Sequence, residues 1–297
     1  MSRYLLPSFL LVSVLVASGA GRAALAAESY DNCSGFIDSV PASITAAGTW
    51  CMRHDVSTNM ASGAAITILA DDVVLDCNNF KLGGLAAGMS TFATGVHGGS
   101  STGSGGRQYN VTVRNCNVRG FHYGIYISPG SGNGGGYLVE DNLVEQSRFV
   151  GILVGAGRNR VQRNRVVDTG GRPGQNYAFG ISAHADLIDN TVTGVYGDAA
   201  VTSFVAYGIV LGDANGYLAR GNHVSGLQPH GVNGQAWGLQ SGNRSILVDN
   251  RVIAPAPGTA GGGLCGLSTG CLCKGNTAAN FANPTVNCTD LGGNASH

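Results

Sequence analysis

The chain is poor in charge. Only 11% of its 297 residues are Asp, Glu, Lys or Arg. Glu occurs three times (Glu28, Glu140, Glu145) and Lys twice (Lys81, Lys274). These residues favour exposed helix faces, so their scarcity argues against an α-helical fold. The formal net charge is zero, which excludes a general attraction to nucleic acid or to anionic membranes. No segment after the N-terminus is apolar for long enough to cross a bilayer. Cysteine is absent between Cys116 and Cys265. What is abundant is glycine: 48 residues with no collagen period, which implies many turns per unit length.

The N-terminus reads as a secretory signal over residues 1–26. Arg3 supplies the positive start, Tyr4 to Ala20 the apolar core, and Ala24-Leu25-Ala26 a small-x-small cleavage site. A membrane anchor is the rival, and Arg22 suits it; Pro7 and the small residues that follow favour cleavage. The expectation is an exported protein, extracellular or periplasmic, with no membrane association once the signal is removed. In that compartment eight cysteines read as disulfides. Cys33–Cys51 and Cys77–Cys116 are expected early in the chain, with Cys265, Cys271, Cys273 and Cys288 paired among themselves at its end. Cys271-Leu-Cys273 is not a CxxC pair and has no histidine cluster beside it, so no metal site is expected.

The chain then repeats itself. The unit is apolar-x-x-Asn-x-Val, a variable stretch, then Gly-Ile. Its copies include VEDNLV with GILV, VQRNRV with GISA, LIDNTV with GIVL, and LARGNHV with GLQS. The asparagine column is Asn142, Asn164, Asn190, Asn222, Asn250 and Asn276, at spacings of 22, 26, 32, 28 and 26. Upstream, VTVRNCNV with GIYI places Cys116 in the asparagine slot. Each unit holds two short alternating runs, the period of half-buried strands. A unit of this size buries nothing alone, so neighbours must stack. The prediction is a buried column Ile125, Ile152, Ile181, Ile209 and Leu239, and a second from Val118 to Val252. The asparagine amides should bond to the coils above and below, since a buried amide without partners is costly. Gly124, Gly151, Gly180, Gly208 and Gly238 mark the next corner and are expected at positive φ.

This Asn-x-Val and Gly-Ile pattern resembles the right-handed parallel β-helix repeats of the pectin-lyase-like superfamily, over roughly Ile66 to Phe281. The resemblance implies an all-β, right-handed parallel β-helix (solenoid) with disulfide-stapled N- and C-terminal caps. The expected divisions are an N-terminal cap at 27–65, the β-helix at 66–281 and a C-terminal tail at 282–297. Lyases of that superfamily hold calcium on acidic side chains and use a basic residue against a proton beside a uronate carboxylate. That motif has no residue-by-residue match here: both lysines lie far from the insertions and no paired aspartates stand in them. No cofactor is expected and calcium is not evident.

Loop lengths locate the site. From the asparagine slot to the next glycine the distances are 8, 9, 16, 18 and 16 residues. Three consecutive coils thus carry insertions at one corner: Asp168–Ala178, Gly194–Ala206 and Gly226–Ala236. They offer Asp168, Asp198 and His230 as candidate acid or base groups, and Arg172, Tyr177 and Tyr196 as candidate binding groups. Arg163 and Arg165 add a cationic patch suited to uronate or sulfate, although Asp141-Arg163-Asp189 also reads as a plain salt ladder. Tyr123, Val150, Phe179, Tyr207 and Trp237 precede the corner glycines. Alternation from the inward Ile predicts an internal aromatic stack; a reversal at the glycine would make them an outward platform, with Trp237 a binding residue. Aromatics beside amides, carboxylates and guanidinium groups suit a sugar chain. The expected partner is therefore a polysaccharide or cell-surface glycan, bound or cleaved by a monomer. The alternative is a non-catalytic adhesion module or a structural rod.

Overall fold

The computed structural model describes residue 30 and residues 32–99, 108–129, 134–155, 157–212, 216–266 and 271–297. The expected signal peptide lies outside the described residues. The chain is a right-handed parallel β-helix: each coil contributes one strand to each of three parallel sheets. A representative coil runs Leu138–Glu140 in sheet A, Leu143–Glu145 in sheet C and Val150–Val154 in sheet B. Sheet A holds eleven strands and sheet C ten. Paired strands begin at Gly35–Ile37 and end at Ala295–Ser296, on both sides of the 66–281 span. The only helical turn among the described residues is the 3₁₀ segment Leu85–Ala87.

Both predicted core columns are present. Val118, Val144, Val166, Val192, Val224 and Val252 are consecutive partners in sheet C. Ile125, Ile152, Ile181, Ile209 and Leu239 are consecutive partners in sheet B. All eleven are fully buried. Stacking in register lets each β-branched side chain fill the groove above its neighbour, which is why Val and Ile dominate.

The asparagine ladder closes the corner between sheets A and C. Asn142 Nδ2 donates to Asn164 Oδ1 at 2.9 Å, and the same bond recurs from Asn164 to Asn190, Asn190 to Asn222, Asn222 to Asn250 and Asn250 to Asn276 at 2.9–3.0 Å. Each Oδ1 also accepts the backbone N–H of the preceding ladder residue, as Asn164 N does to Asn190 Oδ1 at 3.0 Å. Asn294, in the segment expected to be a tail, adds a last rung at 2.9 Å. At the other end the Cys77–Cys116 disulfide takes over the column, and Cys116 N donates to Asn142 Oδ1 at 2.9 Å. The left-handed residue that turns this corner stands just before the ladder: Asp141, Arg163, Asp189 and Asp249 have φ of 53–55°, and Gly221 and Gly275 occupy the same place at 67° and 64°.

Gly124, Gly151, Gly180, Gly208 and Gly238 do not have positive φ, contrary to the prediction. Glycine is required there by space. A Cβ on Gly124 would stand 2.3 Å from Val144 Cγ1 and 2.6 Å from the Gly151 carbonyl oxygen. The glycine points inward, and so does the Ile after it. Two consecutive inward residues break the alternation and send the residue before the glycine to the outside.

The Cys33–Cys51 disulfide forms as expected. Late in the chain Cys273 bridges Cys288, and the buried Cys271 is a free thiol. The side chain of Cys265 is outside the described part of the structure.

Candidate functional site

The three insertions lie side by side at the corner between sheets C and B, and much of their length is strand. Thr169, Val195 and Leu227 are partners in sheet C, and Ala178, Ala206 and Ala236 in sheet B; all six are buried. Phe204 is buried as well. The insertions therefore widen the coil around a small extra core and carry their polar groups on a common wall.

The reversal at the glycine corner turns the aromatic column outward, so the predicted internal stack is corrected. Tyr123, Val150, Phe179, Tyr207 and Trp237 are consecutive partners on the outer face of sheet B. Apart from the buried Val150 they are half-exposed. Neighbouring rings extend them into a ridge. Phe179 stacks on Tyr207 with centroids 4.7 Å apart, and Tyr177 meets Phe179 at 5.6 Å and Phe149 at 5.3 Å. His122 stacks on Phe149 at 5.1 Å, and Phe92 lies 5.2 Å from His122. Tyr123 contacts Tyr126 at 5.1 Å, and Tyr126 meets His97 at 5.2 Å. Trp237 continues the column, its Nε1 donating to Gln235 Oε1 at 3.2 Å. Burial, and then the neighbouring Tyr126 and Tyr177, push the Tyr123 phenol above its usual range, so it stays protonated as a hydrogen-bond donor.

Two guanidinium groups at this corner have no acidic partner among the described residues, and one of them touches the ridge. Arg172 lies over the Phe92 ring, its Cζ 3.9 Å from the centroid. Arg148 is only 5% exposed. Tyr196 and Met89 close over the preceding turn: a Cβ on Gly171 would stand 2.5 Å from Tyr196 Cε2 and 3.2 Å from Met89 Cε. Among the described residues eight buried side-chain N or O atoms have no hydrogen-bond partner, and five of them stand at this corner: His122 Nδ1, Ser147 Oγ, Arg148 Nε, Thr169 Oγ1 and Arg172 Nε. Buried polar atoms are nearly always paired, so their concentration at one place is informative. Burial, and then the charge of Arg172, hold the His122 imidazole down at about 4, so it is neutral at pH 7.

The other predicted residues are placed as follows. Asp198 accepts backbone N–H groups from Ala200 and Gly174, each at 3.1 Å, and those bonds hold its carboxyl below the usual range. His230 stacks on Phe204 at 5.6 Å, and its Nε2 lies 3.2 Å from the Val201 carbonyl oxygen. Asp168 is an exposed left-handed residue within its coil's sheet C strand Arg165–Gly170, with φ of 55°. Arg163 is bound to Glu140 and Asp141 on the preceding coil, each at 2.7 Å, which realises the salt-ladder alternative without Asp189. Arg165 is exposed on sheet C, opposite Leu143 and Thr191 and away from the ridge.

The sequence reading missed His122, Phe149, Phe92 and Arg148. They occupy corner positions with no repeating column, so periodicity carried no signal for them. A possible signal was a buried-length side chain such as Arg148 directly before a ring and a Gly-Ile strand.

No family model matches the chain, and no curated protein sequence matches it. Among solved structures it is similar to a mutant tailspike protein of the E. coli bacteriophage HK620 in complex with pentasaccharide, with a TM-score of 0.57 and 13% identity. That match covers 84% of this chain and 55% of the tailspike chain, so this chain spans little more than half the tailspike's length. It is also similar to the A-modules of two Azotobacter vinelandii mannuronan C-5 epimerases. For AlgE6 the TM-score is 0.51 at 11% identity, covering 89% of this chain and 91% of that one; for AlgE4 it is 0.51 at 12%, covering 89% and 85%. At such identities the likeness shows the fold.

Proposed function

We propose that this chain is an exported monomer that binds a polysaccharide across the outer face of sheet B, with an acidic substituent of the sugar held at Arg148 and Arg172. The observation that carries this reading is the ridge itself. Outward aromatic residues cross successive coils next to a corner that holds two cations with no acidic partner among the described residues. Sugar rings have apolar faces that stack on aromatic side chains, and hydroxyls that bond phenols and amides. A guanidinium group binds a carboxylate or sulfate with paired bonds. The similar tailspike holds a pentasaccharide, and the similar epimerases take their name from mannuronan, which agrees with a glycan ligand on this fold. The three disulfides agree with an oxidising compartment, and among the described residues no helix is long and apolar enough to cross a membrane.

Binding without turnover is the form this reading favours. Two of the three candidate acid and base groups are engaged elsewhere, Asp198 by backbone amides and His230 by a ring and a carbonyl, and Asp168 stands exposed. The test is a glycan panel screened with the purified chain, followed by calorimetry on the best acidic polysaccharide. Phe179→Ala and Tyr207→Ala are expected to weaken binding about tenfold each. Ligands that bind both variants as tightly as the parent would sink the ridge as the site. The same ligand is then incubated with the protein: absorbance from unsaturated uronide ends would reveal a lyase, and new reducing ends alone a hydrolase.

A further inference from the structure

The C-terminal end of the solenoid brings three sulfur atoms together. Cys271, Cys273 and Cys288 place their Sγ atoms within 4.8 Å of one another. Cys271 and Cys273 lie on the strand Cys271–Lys274, and Cys288 on Cys288–Asp290, the last two strands of sheet A. The bridge joins Cys273 to Cys288. The strand register is different: Cys271 stands directly opposite Cys288, and Cys273 opposite Asp290. The bridge therefore runs diagonally, while the residue facing Cys288 keeps its thiol, 3.2 Å from Cys288 Sγ. A cavity lined by Leu264, Cys273, Thr285, Cys288, Asp290 and Asn294 opens against the bridged pair.

We propose that this cluster is an internal thiol–disulfide exchange site, in which Cys271 displaces Cys273 from Cys288 and delivers the Cys273 thiol to the cavity as a site for covalent modification. Exchange requires a thiolate within reach of a disulfide sulfur, and the 3.2 Å approach supplies the reach. Cys271 Sγ loses its proton to solvent and attacks Cys288 Sγ. The Cys271–Cys288 bond forms, the Cys288–Cys273 bond breaks, and Cys273 leaves with the electron pair and takes up a proton. One disulfide and one thiol are present before and after, so no external oxidant or reductant enters. The Ser241 hydroxyl, 3.3 Å from Cys271 Sγ, can donate to the thiolate. Burial acts in the opposite direction and raises the Cys271 thiol above its usual range, more than Ser241 lowers it. Exchange is accordingly slow at neutral pH and accelerates with alkali. Both bridged forms tie the same two strands together, so the terminal coil stays stapled while the free thiol moves from Cys271, which does not line the cavity, to Cys273, which does.

The experiment uses the native full-length chain, alkylated with iodoacetamide between pH 6.5 and 8.5 and mapped without reduction; chymotryptic cleavage after Leu272 separates the two cysteines. Both bridge isomers are expected, with the label accumulating on Cys273 about ten times faster per pH unit below the thiol pKa. Cys271→Ser should abolish labelling of Cys273 and leave the Cys273–Cys288 bridge alone. Cys273→Ser should form the Cys271–Cys288 bridge. A single Cys273–Cys288 bridge with Cys273 unlabelled at every pH overturns the proposal. So does a parent chain in which Cys271 is bridged to Cys265. Because the parent chain alone gives these readouts, a variant that fails to fold leaves the test intact.

Discussion

Two corners of the same coil treat polar groups in opposite ways. Where sheet A turns into sheet C, each coil from Asn142 onward uses one left-handed residue and one asparagine, and each amide is satisfied by the next. Where sheet C turns into sheet B, the length varies and five buried polar atoms are left without partners. The first corner spends its hydrogen bonds on itself and fixes the stacking. The second leaves buried polar atoms unpaired beside the aromatic ridge, and a partly satisfied polar network is a poor way to stabilise a wall.

The largest effect should separate the corners by stability. Asn190→Ala removes the amide that accepts from Asn164 and donates to Asn222, and leaves both neighbours short of a partner. The unfolding free energy should fall by about 3 kcal/mol. Arg148→Met should leave it unchanged or raise it, since an unpaired buried cation is removed. Denaturant titration of both variants checks this; equal losses would erase the distinction between the corners.

A pH titration comes next. His122 is neutral in the folded chain, held at about 4, and an unfolded histidine titrates near 6.5. The unfolded state thus binds more protons in this window. The stabilisation is complete above pH 6.5 and is lost as the pH falls through about 4. By pH 5 the loss should amount to about 2 kcal/mol. The denaturation midpoint should drop over that range in the parent chain and stay flatter in His122→Phe, which keeps the stack on Phe149.

The proposed ligand contact is expected to be smaller in energy but specific in kind. Arg148→Met should weaken an acidic polysaccharide about tenfold, with less effect on the neutral, carboxyl-reduced form of the same polymer. Equal effects on both would leave the ridge as the site and remove the acidic substituent from the reading. The smallest effect belongs to Arg163→Gly. It removes exposed ion pairs that contribute less than about 1 kcal/mol and relieves a left-handed backbone by a similar amount. The net change should stay within about 1 kcal/mol of zero.

The repeating part of this molecule was legible in its sequence because stacking forces one residue type into one column. Asn142 to Asn276, the Val column and the Ile column all follow from that rule. Asn294 escaped because Gly-Asn-Ala-Ser lacks the flanking Val. The direction of Phe179 and Tyr207 escaped for a geometric reason. Alternation assumes a straight strand, and the glycine corner points two successive residues inward. His122 and Arg148 were invisible because this corner differs from coil to coil. Repetition marks what every coil needs, whereas the candidate site is built from what only a few coils carry.

The amide column also has a sense. From Asn142 through Asn276 every Nδ2 donates to the C-terminal neighbour, with Asn294 as the last acceptor, so the row is a one-way relay of dipoles rather than a set of separate pairs. A coil can join this relay anywhere, provided it offers an acceptor behind and a donor ahead. Duplicating or deleting one whole turn therefore preserves the relay, while a fractional turn would interrupt it. The length of the solenoid is quantised in this way, and the rungs between Asn164 and Asn222 are interchangeable parts.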